Sequence, residues 1–168
     1  MGAHHFQIKF LPIGARPTWN AQGERDGWLL ANHDVPTVVA AKLRALLPKA
    51  EHWGSCEEFV SSDDWGSDIR MFSQDGRIVE IGFRFAPGRD PIELLRSIVD
   101  LAREAHCDLL VGSTREILPA DFAAVFSALQ KHRAFRFLSD PVGAVKEAAE
   151  EQKANQSSHP TLAKGQRG

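Results

Sequence analysis

Tyrosine is absent from this chain of 168 residues, and cysteine and methionine occur only twice each. The missing tyrosine removes one common catalytic acid. Two cysteines, Cys56 and Cys107, cannot build the disulfide framework of a small secreted fold. One bridge between them is compatible with the sequence, but a reduced pair is expected. No apolar run approaches the roughly 18 residues of a membrane span. The first ten residues hold no run that reads as a signal peptide, and Phe6 stands where a myristoylation pattern needs Ser or Thr. The expectation is a cytoplasmic protein with no membrane partner. Positive charge is not in surplus either: the formal net charge is -2, and the basic residues are scattered rather than striped. Nucleic acid is therefore not an expected partner. A Gly-x-Ser-x-Gly elbow, a Gly-rich phosphate loop, a dinucleotide fingerprint, a Cys-x-x-Cys knuckle and a calcium loop are all missing. Their absence withdraws the usual sequence grounds for serine catalysis, nucleotide binding and structural zinc. No cofactor is expected, and there is no internal repeat.

The composition that remains, 43% hydrophobic and 25% charged, is that of an ordinary globular domain with enough apolar mass for a core. Residues 1–152 read as one α+β domain. Residues 153–168 are polar, with too little apolar surface to offset the entropy of ordering, and read as a disordered tail. Phe6, Ile8 and Phe10 alternate with polar residues and predict a strand over 4–11. Residues 12–33 read as a long loop carrying Trp19 and Trp28. Asp34 is positioned to cap a helix reaching about residue 47. Asp75-Gly76 predicts a tight hairpin between strands over 68–73 and 77–85. Asp90-Pro91 opens an amphipathic helix, and Cys107 to Val111 is a short buried strand. Helices follow from Pro119 and from Asp140-Pro141, with a short edge strand over 135–138 between them. Strand, helix, strand, strand, helix, strand is the ferredoxin-like βαββαβ order. The expected fold is an antiparallel sheet with helices on one face and two additional C-terminal helices.

One stretch departs from the even charge distribution. Between Glu51 and Asp68 lie six acids, Glu51, Glu57, Glu58, Asp63, Asp64 and Asp68, with no Lys or Arg among them. The segment is -6 and the rest of the chain sums to +4. Trp53 and Trp65 sit inside it. Four readings compete. Asp63, Asp64 and Asp68 offer oxygen ligands to a hard cation and could serve a metal-dependent hydrolase. Paired carboxylates also suit acid–base hydrolysis, given a dry cleft that splits their pKa values. Alternatively, Trp53, Glu57, Glu58, Asp63, Asp64, Trp65 and Asp68 form a docking surface, with carboxylates steering a basic protein partner and tryptophans anchoring it. Or the segment is a solvated loop whose tryptophans fold back into the core. The docking reading is preferred, with no catalytic residue assigned. A homo-oligomeric adaptor, its apolar hairpin pairing across a two-fold, is a further alternative.

His52, Cys56, His106 and Cys107 supply four zinc-type donors. His106 and Cys107 are adjacent, however, and adjacent strand residues face opposite ways, so no metal site is assigned. Cys56 among acids should be a poor nucleophile.

Trp65-Gly66-Ser67-Asp68-Ile69, then Asp75-Gly76-Arg77-Ile78-Val79-Glu80-Ile81, then Asp90-Pro91 leading into Cys107-Asp108-Leu109-Leu110-Val111 form a pattern. It resembles small cytosolic proteins found beside polymorphic toxins of Gram-negative bacteria, many of them immunity proteins. The likeness covers roughly residues 60–145. It implies a non-enzymatic inhibitor that occludes a toxin's active site. An acidic, Trp-bearing segment suits the basic cleft of a nuclease toxin.

Overall fold

The computed structural model describes residues 5–61, 66–86, 91–133 and 135, together with 146, 149, 150, 153 and 154. Its elements run β1 (Phe6–Pro12), α1 (Thr37–Arg44), β2 (Lys49–Trp53), β3 (Cys56–Val60), β4 (Asp68–Gln74), β5 (Arg77–Phe85), α2 (Pro91–Glu104), β6 (Cys107–Val111), β7 (Ile117–Leu118) and α3 (Phe122–Lys131). The strands form one seven-stranded sheet in the order β2-β3-β4-β5-β1-β6-β7, and every neighbouring pair is antiparallel. The chain is thus α+β. The four strands expected from alternation lie in the middle of the sheet. The β2–β3 hairpin extends one edge and β7 the other, so a simple four-stranded ferredoxin-like fold is not what forms.

The hairpin between β4 and β5 turns on Asp75 and Gly76, both at positive φ (52° and 77°), which matches the right-handed twist of its strands. A second turn, at Gly54 (φ 60°), folds half of the acidic segment into β2 and β3; the sequence offers a short strand near 57–60, which is β3, but not β2. That hairpin docks because β3 pairs with β4 along its full length, from Cys56 opposite Phe72 to Val60 opposite Asp68. The β4–β5 hairpin therefore has no free edge to pair across a two-fold.

Pleating divides the side chains between two faces. One cross-strand rung runs Phe59, Ile69, Phe83, Ile8, Val111 over five strands. All five are buried in the core cluster, which Val39 and Leu43 of α1, Leu95, Ile98 and Ala102 of α2, and Val125 and Leu129 of α3 complete. The three helices thus cover the same face. α1 is shorter than expected because Pro36, not Asp34, precedes its first turn; Asp34 instead pairs with Arg77 at 2.7 Å. α3 is capped by Asp121, whose side chain accepts from the Ala124 N–H at 2.9 Å. Phe135, expected to open an edge strand, is helical. Asp90, the anticipated cap of α2, lies outside the described residues, as do residues 136–138, Asp140-Pro141 and most of the expected last helix and tail.

Candidate functional site

Among the described residues, the opposite face of the sheet carries no helix. Its central rung runs Glu51, Glu58, Arg70, Gly82, Lys9, Leu110, Ile117 across all seven strands. One flanking rung is Val60, Asp68, Arg84, Gln7. The other is Trp53, Cys56, Phe72, Glu80. Charged and aromatic side chains therefore meet here because they share strand parity, although they are far apart in sequence.

The loop after β1, unexplained by strand and helix patterns, lies along this face. Arg25 reaches from it to Glu80, Trp28 stacks on Phe72 with ring centroids 5.6 Å apart, and the Leu30 N–H donates to the Val79 carbonyl at 2.9 Å. At its other end Arg115 lies 4.2 Å over the Trp19 ring and donates to the Gly23 carbonyl at 2.9 Å. Between loop and strands is a hollow of about 230 Å³ lined by Lys9, Trp28, Asp68, Arg70, Gly82 and Arg84 among others.

The hollow's charges are layered. Glu80 is shared by Lys9 and Arg25, and Asp68 by Arg84 and Arg70. The carboxylates are the buried partners, at 3% and 5% side-chain exposure for Asp68 and Glu80, while Lys9, Arg84 and Arg70 are 30%, 36% and 39% exposed. Solvent meets the cations. Arg70 also donates to Glu58 at 2.7 Å. Among the described residues, four cations (Lys9, Arg25, Arg70, Arg84) are thus paired with three carboxylates (Glu58, Asp68, Glu80). Burial pushes the Asp68 carboxyl above its ordinary value, against the pull of Arg84 and Arg70.

These contacts correct the expectation of a free acidic surface. Glu57 points to the helix-covered side, where Arg44 of α1 holds it at 2.8 Å and that hydrogen bond draws its carboxyl below the ordinary value. Glu58 is held by Arg70, and Asp68 is a buried counter-ion rather than a displayed charge. The segment has no base of its own, so its bases come from α1, β4 and β5. This pairing also leaves Asp68 poorly disposed as a metal ligand. Asp63, Asp64 and Trp65 lie outside the described residues. Trp53, whose burial the sequence left open, is displayed at 50% exposure, and Trp28 joins it at 43%. Trp53 sits beside Cys56 on the rung that leads to Phe72, two strands from it, so both tryptophans lie on one face of the sheet. Sequence reasoning left Trp28 in an unassigned loop, and only the pairing of β2, β3 and β4, with the loop packed on Phe72, unites them.

The zinc-type residues do not converge. Cys56 and Cys107 are free and buried, lie on opposite faces, and their strands are four steps apart, about 19 Å at the usual strand spacing. Among the described residues no group of three or more His, Cys, Asp or Glu is arranged to hold a metal. The sequence did not anticipate that Cys107 would lie 3.7 Å from His33 Nε2. That nitrogen also sits 2.7 Å from the Ala105 carbonyl, which makes it a donor. Burial, with Asp108 nearby, pushes the Cys107 thiol up to about 12. The pair therefore yields no thiolate nucleophile. No helix among the described residues is long and apolar enough to cross a membrane. Comparison with protein families, curated proteins and solved structures finds no match for this chain.

Proposed function

We propose that this protein is a non-enzymatic binding module that recognises a protein partner through the helix-free face of its sheet. The observation that carries the reading is the display of two half-exposed tryptophans on one face, Trp28 stacked on Phe72 and Trp53 two strands along the same rung. Half-exposed tryptophans on a rigid sheet anchor interfaces well, since they bring large contact area at little entropic cost. The surrounding ion pairs hold their groups in place before any partner arrives, which limits the ordering cost of association. In this reading the central strands with α1 and α2 act as a ferredoxin-like scaffold, to which β2, β3 and β7 add area. A bacterial toxin domain is the first partner to examine, following the immunity-protein resemblance.

The test is affinity capture from the native organism's lysate, followed by titration of the purified partner against wild type, Trp28→Ala and Trp53→Ala. Each substitution is expected to weaken binding by about 30-fold, the size of an interface hot spot, with the circular dichroism spectrum unchanged. A partner that binds the double variant within a factor of two of wild type would remove this face from recognition.

A further inference from the structure

Gly82 stands at the centre of the helix-free face, fourth of seven residues on its rung. A glycine inside a central strand weakens it and is found where a bulge, a bend or the close approach of another group demands one. Here the fold makes no such demand. Gly82 is regularly paired with both Arg70 and Lys9, and it is not among the positive-φ glycines. Among the described residues, a Cβ added to it would meet only the Lys9 side chain, at 3.7 and 3.8 Å, which is ordinary contact. What the missing side chain does provide is the floor of the hollow.

Around that floor the exposed groups are cationic. Lys9, Arg70 and Arg84 stand over the buried carboxylates that fix them. Each guanidinium keeps further N–H donors beyond those its internal partner occupies. The hollow, about 230 Å³, falls below the roughly 300–1,000 Å³ of sites that enclose a whole small-molecule ligand. Its size suits a single side chain or one anionic group.

Resting on the binding-module reading, we infer that the hollow over Gly82 receives one carboxylate side chain of the protein partner, seated between Lys9, Arg70 and Arg84. The partner surface that meets this hollow is therefore acidic, the reverse of what the run of six acids in the sequence suggests. Arginine is well suited to this task because its planar fork binds both carboxylate oxygens, and its buried counter-ion fixes the fork's direction before binding.

The test uses capped hexaglutamate as probe and follows the Arg Nε–Hε resonances by NMR, in parallel with free acetate at equal carboxylate concentration and with capped hexalysine. Hexaglutamate is expected to shift Arg70 and Arg84 saturably, at least tenfold more tightly than acetate. Gly82→Val should abolish the shift and Gly82→Ala should reduce it, both with native spectra elsewhere. Lys9→Gln, which leaves Glu80 its Arg25 partner, should weaken binding several-fold. No shift with hexaglutamate, or an equal shift in Gly82→Val, overturns the inference. Equal potency of acetate would make this a site for free small anions, and a response to hexalysine would restore a basic partner. A captured partner that depends on Trp28 and Trp53 but not on Gly82 would refute only the carboxylate seat. Saturable anion binding with no partner sensitive to either tryptophan would instead refute the binding-module reading.

Discussion

The two faces of the sheet use the same strands for opposite purposes. On the covered face, Phe59, Ile69, Phe83, Ile8 and Val111 close against three helices as one buried apolar cluster. On the other face the same strands present Arg70, Gly82, Lys9, Asp68 and Arg84, with the carboxylates sunk beneath the cations. The first arrangement is organised by burial of apolar area. The second has the cost of burying charge, offset only by close pairing, and it holds a glycine that nothing in the strand requires. The proposed binding function rests on this contrast between a closed face and a charged, hollow one.

That contrast can be broken most forcefully from the covered side. Phe83→Ala should cost about 3–5 kcal/mol in urea unfolding, because a large buried ring leaves a cavity. On the open face, Arg84→Ala should cost about 2 kcal/mol. Its buried Asp68 would retain only Arg70, at 3.5 Å, and the loss is below that of a fully buried pair because Arg84 is partly solvated. Asp68→Asn should cost less than Arg84→Ala, since it leaves no charge stranded inside. The reverse order would mean that the cation, not the carboxylate, is the strained member.

The pH dependence sharpens the comparison, because the two arginine–carboxylate pairs are displaced in opposite directions. Glu57 is drawn below its ordinary value chiefly by the Arg44 hydrogen bond. Its stabilisation is present above the unfolded value and is lost as pH falls through the folded one. Asp68 is pushed up by burial. The folded state then holds that proton more tightly than the unfolded chain, so this group's contribution falls as pH rises from the ordinary carboxylate value to the raised one. Glu57→Gln should remove about 0.5–1 kcal/mol at neutral pH and nearly nothing in acid. Asp68→Asn should flatten the opposite slope, and unfolding curves across the acid range would read both. The smallest effect belongs to the exposed pair of Lys42 and Glu104, 2.8 Å apart: Lys42→Ala should change stability by under about 0.5 kcal/mol.

Alternation and turn chemistry made the interior of the sheet legible in sequence. Ile81, Phe83 and Phe85 announce β5, Asp75-Gly76 announces its turn, and Cys107 to Val111 appears as the strand expected. The β2 strand was hidden because Lys49–Trp53 has no apolar alternation; an edge strand whose described side chains face solvent needs none. β7 is too short, at two residues, to show a period. For the site, Trp53 stood out in sequence as an aromatic among acids, but its exposure was not legible there. The acids beside it were misleading, because their counter-charges Arg44, Arg70 and Arg84 lie outside the segment and meet it only through strand pairing and the packing of α1. Trp28 and Gly82 carried no signal beyond a loop tryptophan and a strand glycine. What unites them is register, which a pattern along one strand cannot supply.

The most direct measurement is the unfolding free energy of Gly82→Ala. If Gly82 is there for a ligand and not for the fold, alanine meets only ordinary contacts with Lys9 and restricts the unfolded chain. Stability should then rise by about 0.5 kcal/mol. A loss of about 1 kcal/mol or more would show that the strand itself needs the glycine, and would contradict the assignment of this face to binding.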